Sequence, residues 1–172
     1  MSSTTVFRGH ANKFIGDGLL AVFGAPERVD DHAECAVAAA LEMVALVDSN
    51  YGETLRVGVG INSGPVVAGT IGGGGRLDFT VIGNTVNTTS RVESATKTTG
   101  DDVLITEATF RLLHEPDDDW SERPEVDLKG KQQQVRLYGP SREPLDRSVQ
   151  RHGGWNNVRP AFRKSRKTQK MV

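Results

Sequence analysis

The chain has 172 residues, 37% of them hydrophobic and 25% charged, which is the composition of about one ordinary globular domain with a single core. No stretch approaches the roughly 18 to 20 apolar residues of a bilayer span, the N-terminus lacks a signal-peptide core, and the single cysteine, Cys35, excludes an internal disulfide. These features predict a cytoplasmic chain without a membrane segment, and the net charge of -1 predicts no strong partner preference.

Residues 1–10 are Ser/Thr-rich around one apolar pair, Val6-Phe7, and predict a loose arm or at most a short strand. Asn12 to Ala25 reads as a β-hairpin: Gly16-Asp17-Gly18 is the turn, with Phe14-Ile15 before it and Leu19 to Phe23 after. Taken alone, Asp17 is a turn aspartate that caps nearby backbone N–H groups. Pro26 ends the hairpin, and Asp30 or Asp31 can cap a helix running to about Ser49. Ala33, Val37, Ala40, Leu41, Val44 and Val47 recur at helical spacing and predict a face packed on a sheet, with Cys35 as a small core residue among alanines.

Leu55 to Ser63 alternates apolar residues and predicts a strand, which runs into the Gly-rich segment from Gly64 to Gly72. Gly72 to Gly75 followed by Arg76 lacks the Lys-Ser/Thr pair of a phosphate loop and reads as a flexible hairpin tip. Phe79, Val81 and Ile82 have the content of a buried strand, which Gly83 breaks before a helix. That helix carries Val86, Ser90 and Glu93 on one side and Asn87 and Arg91 on another. A carboxamide and a guanidinium one turn apart suit a sugar and a phosphoryl oxygen, although in isolation they are also the pattern of any solvated helical face. Asp102 to Ile105 predicts a strand, Thr106 to Leu113 a short helix capped by Thr106, and Pro116 to Glu122 an acidic surface loop. Val126 to Lys131 and Val135 to Tyr138 read as a terminal hairpin, in which Lys129 alone would be a solvated turn lysine.

Phe-Thr-Val-Ile-Gly-Asn-Thr-Val-Asn-x-x-Ser-Arg, from Phe79 to Arg91, resembles the substrate strand and helix of class III nucleotidyl cyclases. Lys-Phe-Ile-Gly-Asp-Gly, from Lys13 to Gly18, resembles a second signature of that family, and Lys129-Gly130-Lys131 its last one. The resemblance spans roughly residues 11–139. It implies an α+β fold: a ferredoxin-like βαββαβ sandwich of the nucleotidyl cyclase type with its first strand and helix missing, plus a C-terminal hairpin. It implies conversion of ATP to 3′,5′-cyclic AMP and pyrophosphate, with two Mg²⁺ or Mn²⁺ ions, at the interface of a homodimer or of a heterodimer with another cyclase domain. Asn87 is implied to orient the ribose and Arg91 to stabilise charge at the α-phosphate. Lys13 and Thr80 are implied to contact the purine, Lys129 the terminal phosphates, and Asp17 to be one of two metal-binding aspartates. Lys13 with Thr80 implies adenine, since guanine-specific relatives typically carry Glu and Cys there.

The chain also departs from the pattern. Relatives place the other metal aspartate on a strand ahead of the lysine that corresponds to Lys13, and Met1 to Gly16 contains no Asp or Glu. That strand lies between those assigned here to Leu19–Phe23 and to Leu55–Ser63, so two edges are expected to lose a neighbour. The resemblance therefore leaves two expectations open: a catalytic adenylate cyclase, or a non-catalytic chain that lends half a site or comes from a decayed gene. Residues 140–172 predict a disordered basic tail: from Arg147 to Val172 there are eight Lys or Arg and no acidic residue. Only Trp155 and Phe162 interleave those charges, which argues against nucleic-acid binding. Arg151 to Asn156 resembles the words that precede the Asn-Lys-Phe strand in relatives, where this chain has Arg8-Gly9-His10-Ala11.

Overall fold

The structure, a computed structural model, describes residues 7–73, 76–114, 116, 120–124 and 135–141. The first elements are the strands β1 (Gly9–Ile15) and β2 (Gly18–Phe23), an antiparallel hairpin turning at Gly16-Asp17 as the sequence predicts. β1 starts two residues inside the segment expected to be a loose arm, because Gly9 and His10 pair with Phe23 and Val22. The helix α1 (His32–Tyr51) follows. Its Ala33, Val37, Ala40 and Val44 are buried as their spacing requires, while Leu41 and Val47 are half-buried. Cys35 is buried beside them. Asp31 occupies the N-cap position without a side-chain capping bond and instead pairs with Arg8 at 3.2 Å.

The strand β3 is confined to Val59–Ile61, shorter than the alternation from Leu55 to Ser63 predicts. Next come β4 (Val67–Gly73) and β5 (Arg76–Ile82), an antiparallel hairpin in register from Val67↔Ile82 to Gly73↔Arg76. The segment read as a buried strand is thus one arm of a two-stranded ribbon: Val81 is buried, but Ile82 is 58% exposed. A ribbon has a face with no second layer on it, and apolar composition alone does not reveal this. The helix α2 (Asn84–Thr99) ends at Gly100 in the left-handed region. It leads to β6 (Val103–Thr106), then to the short helix α3 (Glu107–Phe110), whose Thr106 cap accepts a hydrogen bond from the Thr109 amide as predicted. β7 (Trp120–Glu122) and β8 (Leu137–Pro140) complete the described elements.

β3 is parallel to β6, and β8 is antiparallel to both β6 and β7, giving the order β3-β6-β8-β7. This corrects two expectations. Trp120–Glu122 is an edge strand and not a surface loop, because it pairs with β8 and is anchored by Arg123, which bonds Asp101 through Nε and Nη2 and the Pro140 carbonyl through Nη2. The described partners of β8 are accordingly β6 and β7, whereas the predicted arm from Val126 to Lys131, with Lys129, lies outside the described residues. The tail beyond Ser141 lies outside them too. β2 and β3, between which a strand is expected to be missing, belong to separate sheets and share no pairing among the described residues. The architecture is a mixed α/β fold with a central four-stranded sheet and flanking helices, consistent with the nucleotidyl cyclase catalytic fold.

The core closes where α2 lies on this sheet. Val92 and Ala95 of α2 pack with Leu104 and Leu137, and Val135 lies against them. The buried stripe of α2 is Thr88, Val92, Ala95 and Thr96, not the side carrying Val86, Ser90 and Glu93. Threonine fits there because its hydroxyl bonds back to the helix, Thr88 to the Asn84 carbonyl at 2.9 Å and Thr96 to that of Glu93 at 2.6 Å, which leaves the methyl group for the core. The helix meets β3 almost backbone to backbone. A methyl group added at Gly60 would lie 2.8 Å from the Cα of Glu93 and from the carbonyl carbon of Val92.

Two predictions follow from this packing. Gly60→Ala has no flexible side chain to displace and should cost about 3 kcal/mol, the upper end for overpacking, measured as a fall in the denaturant midpoint. The second concerns Glu34, whose Oε1 accepts from the His114 backbone at 3.0 Å and from its ring at 2.6 Å. Burial pushes the Glu34 carboxyl up, but the His114 ring, the two backbone N–H groups and the His114 charge outweigh it, and the net shift is downward. A carboxyl lowered on folding adds stability above the ordinary carboxylate range and loses it as pH falls through the folded value. Glu34→Gln should therefore cost about 0.5–1 kcal/mol at pH 7, and its melting curve should converge on that of the parent only once the pH has fallen below the ordinary carboxylate range.

Candidate functional site

Lys13 and Thr80, 67 residues apart, meet directly: Lys13 Nζ donates to Thr80 Oγ1 at 2.6 Å. The contact joins the β1–β2 hairpin to the β4–β5 hairpin, which belong to separate sheets. Two further contacts lie beside it. Asn12 Nδ2 donates to the Phe79 carbonyl at 2.8 Å, and the His10 and Phe79 rings meet edge to face at 5.3 Å. The Phe79 carbonyl can only accept, so the Asn12 amide nitrogen faces it and Oδ1 turns inward, buried and without a partner among the described residues. A buried acceptor left without a hydrogen bond costs about 1–3 kcal/mol.

Asn87 and Arg91 lie one turn apart on α2, next to the buried stripe; Asn87 is exposed and Arg91 half-buried. Neither side chain has a hydrogen bond or ion pair among the described residues, so both heads are available to a ligand. Their helix follows β5 through Gly83, whose carbonyl accepts from the amides of Val86 and Asn87. The first turn is held from beneath by residues that sequence reasoning passed over. Asn62 donates to the Thr85 carbonyl at 3.0 Å and accepts from Thr106 at 2.9 Å, and Thr85 Oγ1 donates to the Pro65 carbonyl at 2.7 Å. Polar residues flanking a short strand are the only trace of this network in the sequence.

Asp17 is exposed at the β1–β2 turn, and among the described residues it makes no hydrogen bond or ion pair with Lys13, Thr80, Asn87 or Arg91. A hard divalent cation takes several oxygen ligands, and among the described residues no group of three or more His, Cys, Asp or Glu side chains could hold a metal ion. The described donor set does not make a complete two-metal centre by itself. Among the described residues no helix is long and apolar enough to cross a membrane.

The family model of the adenylate and guanylate cyclase catalytic domain matches residues 7–139. An adenylate cyclase of Anabaena cylindrica is 38% identical over 144 residues, covering 76% of this chain and 28% of that protein. The chain thus spans well under half the length of the curated relatives it matches. Among solved structures, the guanylate cyclase domain of RhGC from Catenaria anguillulae in complex with GTP superposes with a TM-score of 0.68 at 28% identity, over 81% of this chain and 75% of that one. The adenylyl cyclase CyaB from P. aeruginosa gives 0.61 at 25% identity, over 84% and 77%. With the family model matching most of its length and a cyclase-type fold around it, the chain belongs to the class III adenylate and guanylate cyclase catalytic domain family.

Proposed function

We propose that the chain is the catalytic domain of an adenylate cyclase, whose substrate-facing residues serve a site at a dimer interface where ATP becomes 3′,5′-cyclic AMP and pyrophosphate. The observation that carries this reading is the Lys13–Thr80 contact, which unites two residues expected to read the purine. In the reaction the ribose 3′-oxygen attacks the α-phosphorus, the bond from that phosphorus to the bridging oxygen of the β-phosphate breaks, and the 3′-hydroxyl proton is lost. The protein's work is positioning and charge stabilisation. Asn87 orients the ribose, Arg91 neutralises charge developing at the α-phosphate, and Lys129 meets the terminal phosphates. Mg²⁺ or Mn²⁺ supplies further charge neutralisation when bound.

A dimer interface is the setting for this site. Phe14 (80% exposed), Ile15 and Leu19 on one hairpin and Val67 (74% exposed), Ile71 and Ile82 on the other present apolar surface of the kind that a partner domain covers. The cytoplasm, where ATP is available and the free Cys35 stays reduced, is the proposed location. A second reading, a non-catalytic partner that lends its half-site to a complete cyclase, is favoured by the solitary position of Asp17.

The two readings are separated by assaying the chain with ATP and Mn²⁺, alone and mixed with a complete relative whose own Asn and Arg have been mutated. Restored cyclic AMP production in the mixture is expected. Arg91→Ala should cut it about 10²-fold or more, while Asp17→Ala should leave it, since Asp17 belongs to the other half. Cyclic AMP formed by the isolated chain at the rate of a complete relative selects the catalytic reading, and no restoration by a folded, dimerising chain overturns the proposal. Selectivity gives a further prediction: ATP should bind more tightly than GTP, and Lys13→Glu should reduce the ratio about tenfold, the effect of one unpaired hydrogen-bonding group. Equal affinities of the parent chain for ATP and GTP by calorimetry would rule out purine reading by this pair.

A further inference from the structure

Lys13 should not face Thr80 on strand geometry alone. Side chains alternate along a strand, so His10 and Asn12 share a face and Lys13 belongs to the opposite one. Yet His10, Asn12 and Lys13 all reach β5, His10 at the Phe79 ring, Asn12 at the Phe79 carbonyl and Lys13 at the Thr80 hydroxyl. The register explains how. Ala11 pairs with Ala21 and Lys13 with Leu20, so Asn12 is the extra residue of a β-bulge. A bulge places two consecutive residues against one on the partner strand and re-aims the side chain that follows. Here it brings Lys13 to the side of Asn12.

We infer that Asn12 is a positioning residue for purine selection: as the bulge residue it turns Lys13 toward Thr80, and through its bond to the Phe79 carbonyl it fixes the spacing of the strands that carry the pair. The inference rests on the reading of Lys13 and Thr80 as purine contacts, and adds the device that sets their geometry. The Asn12–Phe79 bond and the Lys13–Thr80 bond are adjacent in both strands, Asn12 beside Lys13 and Phe79 beside Thr80, so a shift of one moves the other. The unpartnered Oδ1 of Asn12 fits this role, since an apolar residue of similar size would remove a buried orphan along with the bond. Stability and positioning therefore come apart at this residue, and the test uses that.

The test compares Asn12→Leu and Asn12→Asp with the parent chain and with Lys13→Ala. Asn12→Leu removes the donor together with the orphaned acceptor, and its melting temperature should stay near that of the parent. Asn12→Asp keeps the shape but sets a carboxylate oxygen against the Phe79 carbonyl. In both, hydrogen exchange of the Phe79–Ile82 amides should quicken while that of Val103–Thr106 is unchanged. With 3′-deoxy-ATP and 3′-deoxy-GTP as probes that bind without cyclising, the affinity ratio in Asn12→Leu should fall about tenfold, to that of Lys13→Ala, and the double variant should fall no further. A folded Asn12→Leu with the parent's exchange and affinity ratio overturns the inference, as does a double variant whose losses add. If the parent chain does not discriminate the two probes, the purine reading fails and the exchange experiment alone decides: quickened exchange keeps Asn12 as the residue that positions Lys13, and unchanged exchange removes it.

Discussion

The contact on which the structure most depends is the near backbone-to-backbone approach of α2 to β3 at Gly60. A helix held off a sheet by side chains can shift and rotate as they repack. One pressed against the strand's main chain cannot, because no rotamer is free to absorb the movement. Val92 then reaches Leu104 and Leu137, and the core closes around that seating. Beside the buried stripe stand Asn87 and Arg91, so the same contact that buries one side of α2 sets the direction of the other. The Asn62, Thr85 and Thr106 bonds extend that control to the first turn. The fold thus sets a carboxamide and a guanidinium on a firmly seated helix, which suits the proposed reaction, whose rate comes from positioning and charge.

The other half of the candidate site is built differently. β1–β2 and β4–β5 are two-stranded ribbons, an architecture that is marginal by itself. They are joined by side chains, the Asn12 bond, the His10–Phe79 edge and the Lys13–Thr80 bond. A rigid helix is therefore combined with a pair of hairpins whose relative placement depends on a few polar and aromatic contacts. In the proposed function the chemistry at phosphorus falls to the first and the choice of base to the second, so selectivity is the property more easily altered by substitution.

The sequence made much of this legible. Turn chemistry at Gly16-Asp17 marked the first hairpin, and the apolar period from Ala33 to Val44 marked α1 and its buried face. The strand-to-helix motif around Gly83 marked the junction that carries Thr80, Asn87 and Arg91. What stayed hidden has physical reasons. The buried stripe of α2 is half threonine, and a threonine whose hydroxyl is bonded back to the helix is apolar in effect while polar in a sequence pattern. The edge strand at Trp120 follows an acidic run and is held by Arg123 on Asp101, a pairing between residues 22 apart that no local window contains. The bulge at Asn12 is invisible for a stronger reason. It is a property of the pairing between two strands, and the β1 sequence is compatible with either register.

Solvent decides what the Lys13–Thr80 pair can do. Both groups sit at an exposed contact, where water competes for the ammonium and the hydroxyl, and a hydrogen bond open to water discriminates weakly between ligands. The same bond in a desolvated site is worth more, and an unpaired group there costs more, so selectivity rises as the site dries. In the proposed dimer, the exposed apolar residues on the same two hairpins, Phe14, Ile15 and Leu19 on one and Val67, Ile71 and Ile82 on the other, would be the means of drying it. A partner domain seated on them would gain hydrophobic burial and exclude water from the adjoining hairpin contacts at once. Partner binding and purine discrimination would then be linked, each strengthening the other by the same free energy. On this view the hairpins are left apolar and weakly braced because a second domain finishes them, and the seat of α2 on Gly60 keeps Asn87 and Arg91 in place while it does so.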